Sequence, residues 1–125
     1  MQISIATIVA DPMFKRGLHM LLNEIRQAEV VHSSFEAEAF MQTSSCPDII
    51  LMDTSTRLQE NLDQATSLLK HLPKTKIIIL THLDLLSCQA FIRKTEVHGF
   101  LVKPFGLKDL KHALEMVNDG GFYHN

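Results

Sequence analysis

Short runs rich in isoleucine and valine alternate along this chain with longer stretches whose apolar residues recur at helical spacing. Most of these runs leave no polar side for solvent, which is typical of strands buried on both faces of a parallel sheet. Because a helical stretch separates each pair of runs, the pattern favours a sheet covered by helices. The predicted strands are Ile3–Ala10, Glu29–His32, Asp48–Asp53, Lys76–Thr81 and Gly99–Lys103.

The first two helices have recognisable start signals. Asp11 suits the N-cap and Pro12 the first helical position, and the apolar stripe that follows predicts a helix ending near Arg26. Ser33 and Glu36 have the spacing of a capping box, which predicts a second helix through Phe40 and Met41.

Three further helices follow from apolar periodicity and from breaking residues. The third carries Leu62, Ala65, Leu69 and Leu72 and stops at Pro73, the fourth starts at Asp84 and continues through Leu85, Phe91 and Ile92, and the last runs from Gly106 to Asp119. Gly120 and Gly121 are expected to end that helix with a left-handed residue. Five strands and five helices predict one domain over residues 1–125, a doubly wound, flavodoxin-like α/β sandwich with strand order 2-1-3-4-5.

The charge balance argues against direct binding of nucleic acid. The chain has 12 Lys and Arg against 14 Asp and Glu, for a net charge of −2. No basic stretch is present to contact a phosphate backbone. Direct nucleic-acid binding by these residues is therefore not expected.

Cysteine and histidine usage argues against disulfides and structural metal. Cys46 and Cys88 are far apart and form no Cys-x-x-Cys pair, so we predict two reduced core thiols. The seven histidines are scattered, which disfavours a metal site built on them. No apolar run reaches the ~18 residues of a membrane span, and the first ten residues lack a basic start, so we predict a cytoplasmic protein.

Polar residues end or directly follow four of the buried strands and are expected to meet at the carboxyl edge of the sheet. They are Asp11, Asp53, Thr81 and Lys103. Carboxylates suit Mg²⁺, a hydroxyl can donate to a phosphoryl oxygen, and an ammonium neutralises charge on that group. The set therefore indicates phosphoryl-transfer chemistry.

Several segments resemble the receiver domain of two-component response regulators, over essentially the whole chain. The segments are Asp11-Pro12, Ile49–Asp53, Ile78–Thr81 and Gly99–Pro104. Two flanking segments, 12–18 and 120–123, further resemble the LuxR/FixJ-type subfamily, in which the receiver precedes a helix-turn-helix domain. The resemblance implies a signalling domain that switches a transcriptional output domain, and not a classical enzyme beyond slow self-phosphorylation and dephosphorylation.

The resemblance also implies roles for the residues at the edge. Asp53 would accept the phosphoryl group from a histidine kinase. Asp11, Asp53 and the backbone carbonyl of Ser55 would hold Mg²⁺, while Thr81 and Lys103 would bind the phosphoryl oxygens.

Switching and assembly are implied by the same resemblance. Phe100 matches the family's switch aromatic, which turns when Thr81 moves toward the phosphoryl group. The Lys103-Pro104 bond is expected to be cis. A homodimer through the fourth helix, fifth strand and fifth helix is expected, and no membrane contact.

One departure concerns the acidic pair that receivers carry after the first strand. Counting back from Pro12 without a gap puts Val9 and Ala10 in the acidic positions, whereas a one-residue deletion aligns Asp11 with the second acid. The loss of one unit charge near 4 Å from the metal costs about 4 kcal/mol at an effective dielectric of 20, so weak Mg²⁺ binding is expected. The alternative function is a pseudo-receiver, a protein-interaction or dimerisation module that works without phosphorylation.

Two other classes share parts of the pattern. A flavodoxin-like FMN carrier has the same strand order, but its phosphate loop needs Gly, Ser and Thr where this chain has Ala10 to Met13. A haloacid-dehalogenase-type phosphatase also uses an Asp at a strand end, yet its second Asp is replaced here by Ser55.

Overall fold

The computed structural model describes residues 2–54, 58–84, 89 and 96–125. In these residues the chain forms six strands and four helices: β1 (Ile3–Ile8), α1 (Pro12–Asn23), β2 (Ala28–Ser34), α2 (Ala37–Met41), β3 (Ile49–Thr54), α3 (Leu58–His71), β4 (Lys76–Thr81), β5 (Gly99–Val102), α4 (Leu107–Asn118) and β6 (Tyr123–His124). The helix predicted from Asp84 falls largely outside the described residues. No described helix combines the length and the apolar character that crossing a membrane requires.

All strand pairs are parallel, and the sheet order is β2-β1-β3-β4-β5-β6. The predicted α/β class and the order of the first five strands are confirmed. The sixth strand was not predicted, because its two residues are too few to give an alternating pattern.

Two apolar cores cover the two faces of the sheet, because successive strand residues point to opposite sides. In β3, Ile49 and Leu51 belong to the core under α1 and α4, whereas Ile50 and Met52 belong to the core under α2 and α3. By the same alternation, Asp53 lies on the face of α1 and α4.

Helix α1 begins as predicted and ends early. Asp11 is its N-cap, and the Asp11 carboxylate accepts a hydrogen bond of 3.0 Å from the Met13 amide. The helix ends at Asn23 rather than near Arg26, because the Glu24 and Ile25 amides bond three residues back and tighten the last turn.

The predicted capping box at the start of α2 is wrong. Ser33 and Ser34 extend β2, where they pair with Thr7 and Ile8 of β1. Helix α2 starts after Glu36, and no side chain caps it. Pairing with β1 satisfies the backbone of this segment, so the local capping signal is overridden.

The end of α4 turns the chain back onto the sheet. Gly120 has φ +97°, which confirms the predicted left-handed residue, and a Cβ on Gly121 would lie 2.9 Å from the Met116 side chain. The chain then forms β6 along β5. Beyond β6, the Asn125 side chain accepts a hydrogen bond of 2.8 Å from the Val102 amide and covers the remaining edge of β5.

The prediction of core thiols is wrong for Cys46. Cys46 is an exposed free thiol in the loop before β3, and Cys88 lies outside the described residues. Cys46 lies in a loop outside both cores, and of its two chain neighbours only Pro47 is buried.

Candidate functional site

Asp53 lies at the carboxyl edge of β3, next to the central strand β4. It pairs in register with Leu80, and the following residue, Thr54, donates a side-chain hydrogen bond of 3.1 Å to the Leu80 carbonyl. This pairing continues the strand one residue past the predicted end at Asp53. The Asp53 side chain is only 5% exposed. An acid this well enclosed needs a partner, because desolvation of a carboxylate is costly.

Lys103 provides that partner. Leu80 pairs with Leu101, so Lys103 follows two residues later on the same face of the sheet as Asp53. The Lys103 ammonium forms an ion pair with Asp53 Oδ1, and within the described part of the chain it is the only partner of that buried oxygen. The structure therefore brings together two of the residues predicted to share a site.

An aromatic ring closes the other side of the ammonium. Lys103 Nζ lies 4.0 Å from the centroid of the Phe14 ring. Phe14 in turn meets Phe105 edge-to-face, with centroids 6.3 Å apart and an interplanar angle of 87°. In the sequence, Phe14 belongs to the apolar stripe of α1 and to the 12–18 segment that resembles the LuxR/FixJ-type subfamily, and neither pattern indicates a contact with Lys103.

Thr81 lies at the same edge but does not contact the ion pair. Its side chain is on the other face of the sheet, and its hydroxyl accepts a hydrogen bond of 3.1 Å from the Leu83 amide. The link to Lys103 runs through the backbone, where the Lys103 amide donates to the Thr81 carbonyl at 2.7 Å. The Lys103-Pro104 bond is cis, which confirms that prediction.

Phe100 is buried in the core under α2 and α3, with 1% of its surface exposed. It pairs in register with Ile79, two residues before Thr81 on the same face. Its ring centroid is 6.3 Å from that of Phe122, in the segment that leads into β6. Phe100 therefore lies between Thr81 and the C-terminal segment.

The first strand contributes no carboxylate beside Asp53. Ile8 pairs with Met52, so the next position along β1, Val9, falls beside Asp53 on the same face. Val9 is 1% exposed and packs in the core under α1 and α4. Asp11 is exposed and caps α1, a role that accounts for its position without a metal.

The predicted Mg²⁺ ligands do not fit a cation site in the residues that the structure describes. No group of three or more His, Cys, Asp or Glu side chains converges there, and Ser55 lies outside those residues. Mg²⁺ takes six oxygen ligands in near-octahedral geometry, usually including one or two carboxylates. Here Asp53 is already paired with an ammonium and has an apolar neighbour in Val9.

Known proteins resemble this chain in sequence and in fold. No family model matches the chain. The transcriptional regulatory protein DegU of Brevibacillus brevis is 27% identical over 124 residues, which are 98% of this chain and 52% of DegU. The isolated REC domain of RcsB from Salmonella enterica serovar Typhimurium superposes with a TM-score of 0.87 at 17% identity, covering 99% of this chain and 94% of that one. A LuxR family DNA-binding response regulator from Silicibacter pomeroyi gives a TM-score of 0.80 at 17% identity, covering 98% and 97%.

The fold is that of a response-regulator receiver domain, and the Asp53–Lys103 pair lies at the edge where the predicted site was expected. The sequence relatives are named a transcriptional regulatory protein and a sensory transduction protein, and a LuxR family response regulator shares the fold, so the predicted resemblance to receivers of the LuxR/FixJ type is confirmed. The chain spans about half the length of the curated relatives it matches.

Proposed function

We propose that this chain is a two-component receiver domain that accepts a phosphoryl group on Asp53 from a histidine kinase. The contact between the enclosed Asp53 carboxylate and the Lys103 ammonium carries the proposal. A carboxylate oxygen would attack the phosphorus in line, the bond from phosphorus to the imidazole nitrogen would break, and the imidazole would keep the electron pair. Lys103 would then neutralise the added charge on the phosphoryl oxygens.

Thr81 and Phe100 would change position in response to phosphorylation of Asp53. The Thr81 hydroxyl, which lies on the other face of the sheet and accepts from the Leu83 amide, would turn toward the strand end and donate to a phosphoryl oxygen. Phe100 is on the same sheet face and adjoins the space that Thr81 would vacate. On an aspartate the phosphoryl oxygens carry about −1.5 to −2 charges in place of the carboxylate's −1, so the site gains up to about one negative charge and three acceptor oxygens, a local change that can bias two packings of such a cluster.

The output would be transcriptional and would require a further domain. The DegU relative is named a transcriptional regulatory protein and is about twice the length of this chain. The present residues have a net charge of −2, which does not suit a DNA backbone. The proposed homodimer uses the predicted helix that starts at Asp84, strand β5 and the last helix, α4. Such a dimer would also contact β6, because β6 lies along β5. We place this signalling in the cytoplasm.

Intact-mass analysis tests the proposal. The chain is incubated with phosphoramidate, a small donor with the phosphorus–nitrogen bond of a phosphoimidazole, in buffer containing Mg²⁺. We expect one phosphoryl adduct on the wild type and none on Asp53→Asn. Asp48→Asn is the matched control, because Asp48 immediately precedes the same strand and is exposed. Absence of an adduct on the wild type, or an adduct that survives Asp53→Asn, contradicts the proposal.

A second candidate is a receiver-like interaction module that works without phosphate. The apolar Val9 beside Asp53 and the capping role of Asp11 favour it. For this second candidate, the addition of Mg²⁺ and beryllofluoride would leave the amide NMR spectrum unchanged. Shifts that cluster around Asp53 and Phe100 would instead support the phosphoacceptor.

A further inference from the structure

Among the described residues, the Lys103 ammonium has two neighbours, and only one of them carries charge. Asp53 supplies a carboxylate, while Phe14 presents its ring at 4.0 Å from Nζ. The Lys103 side chain is 8% exposed, so little water competes for the ammonium. A ring face attracts a cation through its quadrupole, and the attraction is stronger where water is excluded.

The Phe14 ring is partly buried and is held by its place in α1 and by two packing contacts. Phe14 lies in the first turn of α1, whose start is set by Pro12 and by the Asp11 cap. It packs against the core under α1 and α4, and Phe105 meets it edge-to-face. A ring held in this way orients whatever lies over its face.

We infer that Phe14 is a positioning residue for Lys103, an inference that rests on the proposed function. Lysine has a long flexible side chain, so an ordered ammonium at Asp53 requires a second contact. A second carboxylate would supply that contact but would compete with Asp53 and the phosphoryl group for the ammonium. The Phe14 ring has no net charge, so it holds Lys103 and leaves the positive charge available.

The apolar Val9 completes this arrangement. At the position beside Asp53 it adds no carboxylate that could draw Lys103 away. As far as the described ranges extend, the pocket therefore holds one acid, one ammonium and one ring. In this pocket the first turn of α1 contributes an aromatic face to the phosphoacceptor site.

Two variants distinguish the effect of the aromatic ring face from the effect of side-chain volume. Phe14→Leu keeps an apolar side chain but removes the ring face, and Phe14→Tyr restores it. The control is Phe35→Leu, which removes the ring beneath Lys15 Nζ, a similar pair at 3.9 Å that does not involve the pocket. Phe35 is exposed, so the control is expected to fold.

The first readout is the proton shift of the Lys103 ε-methylene group, which does not depend on phosphorylation. Ring current from Phe14 should move this signal upfield in the wild type and in Phe14→Tyr, and Phe14→Leu should abolish the displacement. Phe35→Leu should leave it in place. A wild-type signal at the position of a free lysine overturns the inference, even if Phe14→Leu fails to fold.

The second readout is the rate of labelling by phosphoramidate. We expect Phe14→Leu to slow labelling by about threefold to tenfold, with recovery in Phe14→Tyr and no change in Phe35→Leu. An unchanged rate in Phe14→Leu overturns the positioning role. If the wild type shows the upfield shift but takes no label, the proposed function fails while the contact between Phe14 and Lys103 stands.

Discussion

The hydrogen bonds of His98 predict a loss of stability in mild acid. His98 Nδ1 accepts a hydrogen bond of 3.1 Å from the Ile77 amide, and the His98 amide donates to the Ile77 carbonyl at 2.8 Å. The ring must therefore be neutral and carry its proton on Nε2. Burial, and secondarily the positive charge of Lys76, lower the pKa of His98 below its ordinary value of 6.5.

The sign of the pH effect follows from the lowered pKa. The unfolded chain binds a proton at residue 98 as the pH falls through 6.5, while the folded chain resists until its own lower pKa. The contribution of His98 is thus complete above pH 6.5 and is lost as the pH falls toward the folded pKa. Loss of one hydrogen bond at a half-buried ring sets the size at about 1 kcal/mol.

His98→Asn is the informative variant, since asparagine Oδ1 can accept from the Ile77 amide without titrating. Urea unfolding near pH 7.5 and near pH 5.5 should show a wild-type stability loss that is about 1 kcal/mol larger than the loss in His98→Asn. His19 titrates in the same direction, because burial lowers its pKa too, and it cancels in this difference. The control is His82→Asn, at an exposed site after β4. Equal pH dependence in the wild type and His98→Asn would refute the reasoning.

Two further predictions concern the ends of the sheet. Asp48→Ala should lower the free energy of unfolding by about 2 kcal/mol, because the Asp48 carboxylate accepts hydrogen bonds from both the amide and the hydroxyl of Ser4 at 2.8 and 3.0 Å. Urea denaturation measures this loss, and Asp63→Ala is the control at an exposed site. Asn125→Ala should speed hydrogen exchange of the Val102 amide while leaving the Leu101 amide protected, and an unchanged Val102 rate would count against the Asn125 contact.

The strands of the sheet centre were predictable because their signal does not depend on distant residues. The apolar run at Lys76–Thr81 has the bounds that the sequence predicts, since burial on both faces demands an unbroken apolar run. Asp11 and Pro12 were equally informative, because an N-cap and a first-turn proline act locally.

Elements that depend on tertiary contacts were missed. Ser33 reads as a cap in isolation but pairs with β1 in the fold. β6 exists because Gly120 turns the chain and β5 offers an open edge, and neither condition leaves a periodic pattern. Cysteine is usually a buried residue type, but Cys46 lies in an exposed loop.

The candidate site was predicted in part. The proximity of Asp53 and Lys103 follows from strand order, because both residues lie at the carboxyl ends of strands that flank β4. The Thr81 hydroxyl and the Asp11 carboxylate have local amide partners that strand order does not indicate. The position of Phe14 over Lys103 depends on how α1 packs against the segment after β5, which no spacing in the sequence specifies.

Borohydride trapping tests the phosphoacceptor assignment most directly. Sodium borohydride reduces an aspartyl phosphate to homoserine, so the modified position can be read by fragmenting the peptide that contains it. After treatment with phosphoramidate and then borohydride, we expect homoserine at residue 53 and aspartate retained at Asp11 and Asp48. Homoserine at another position, or none anywhere in the chain, would contradict the account.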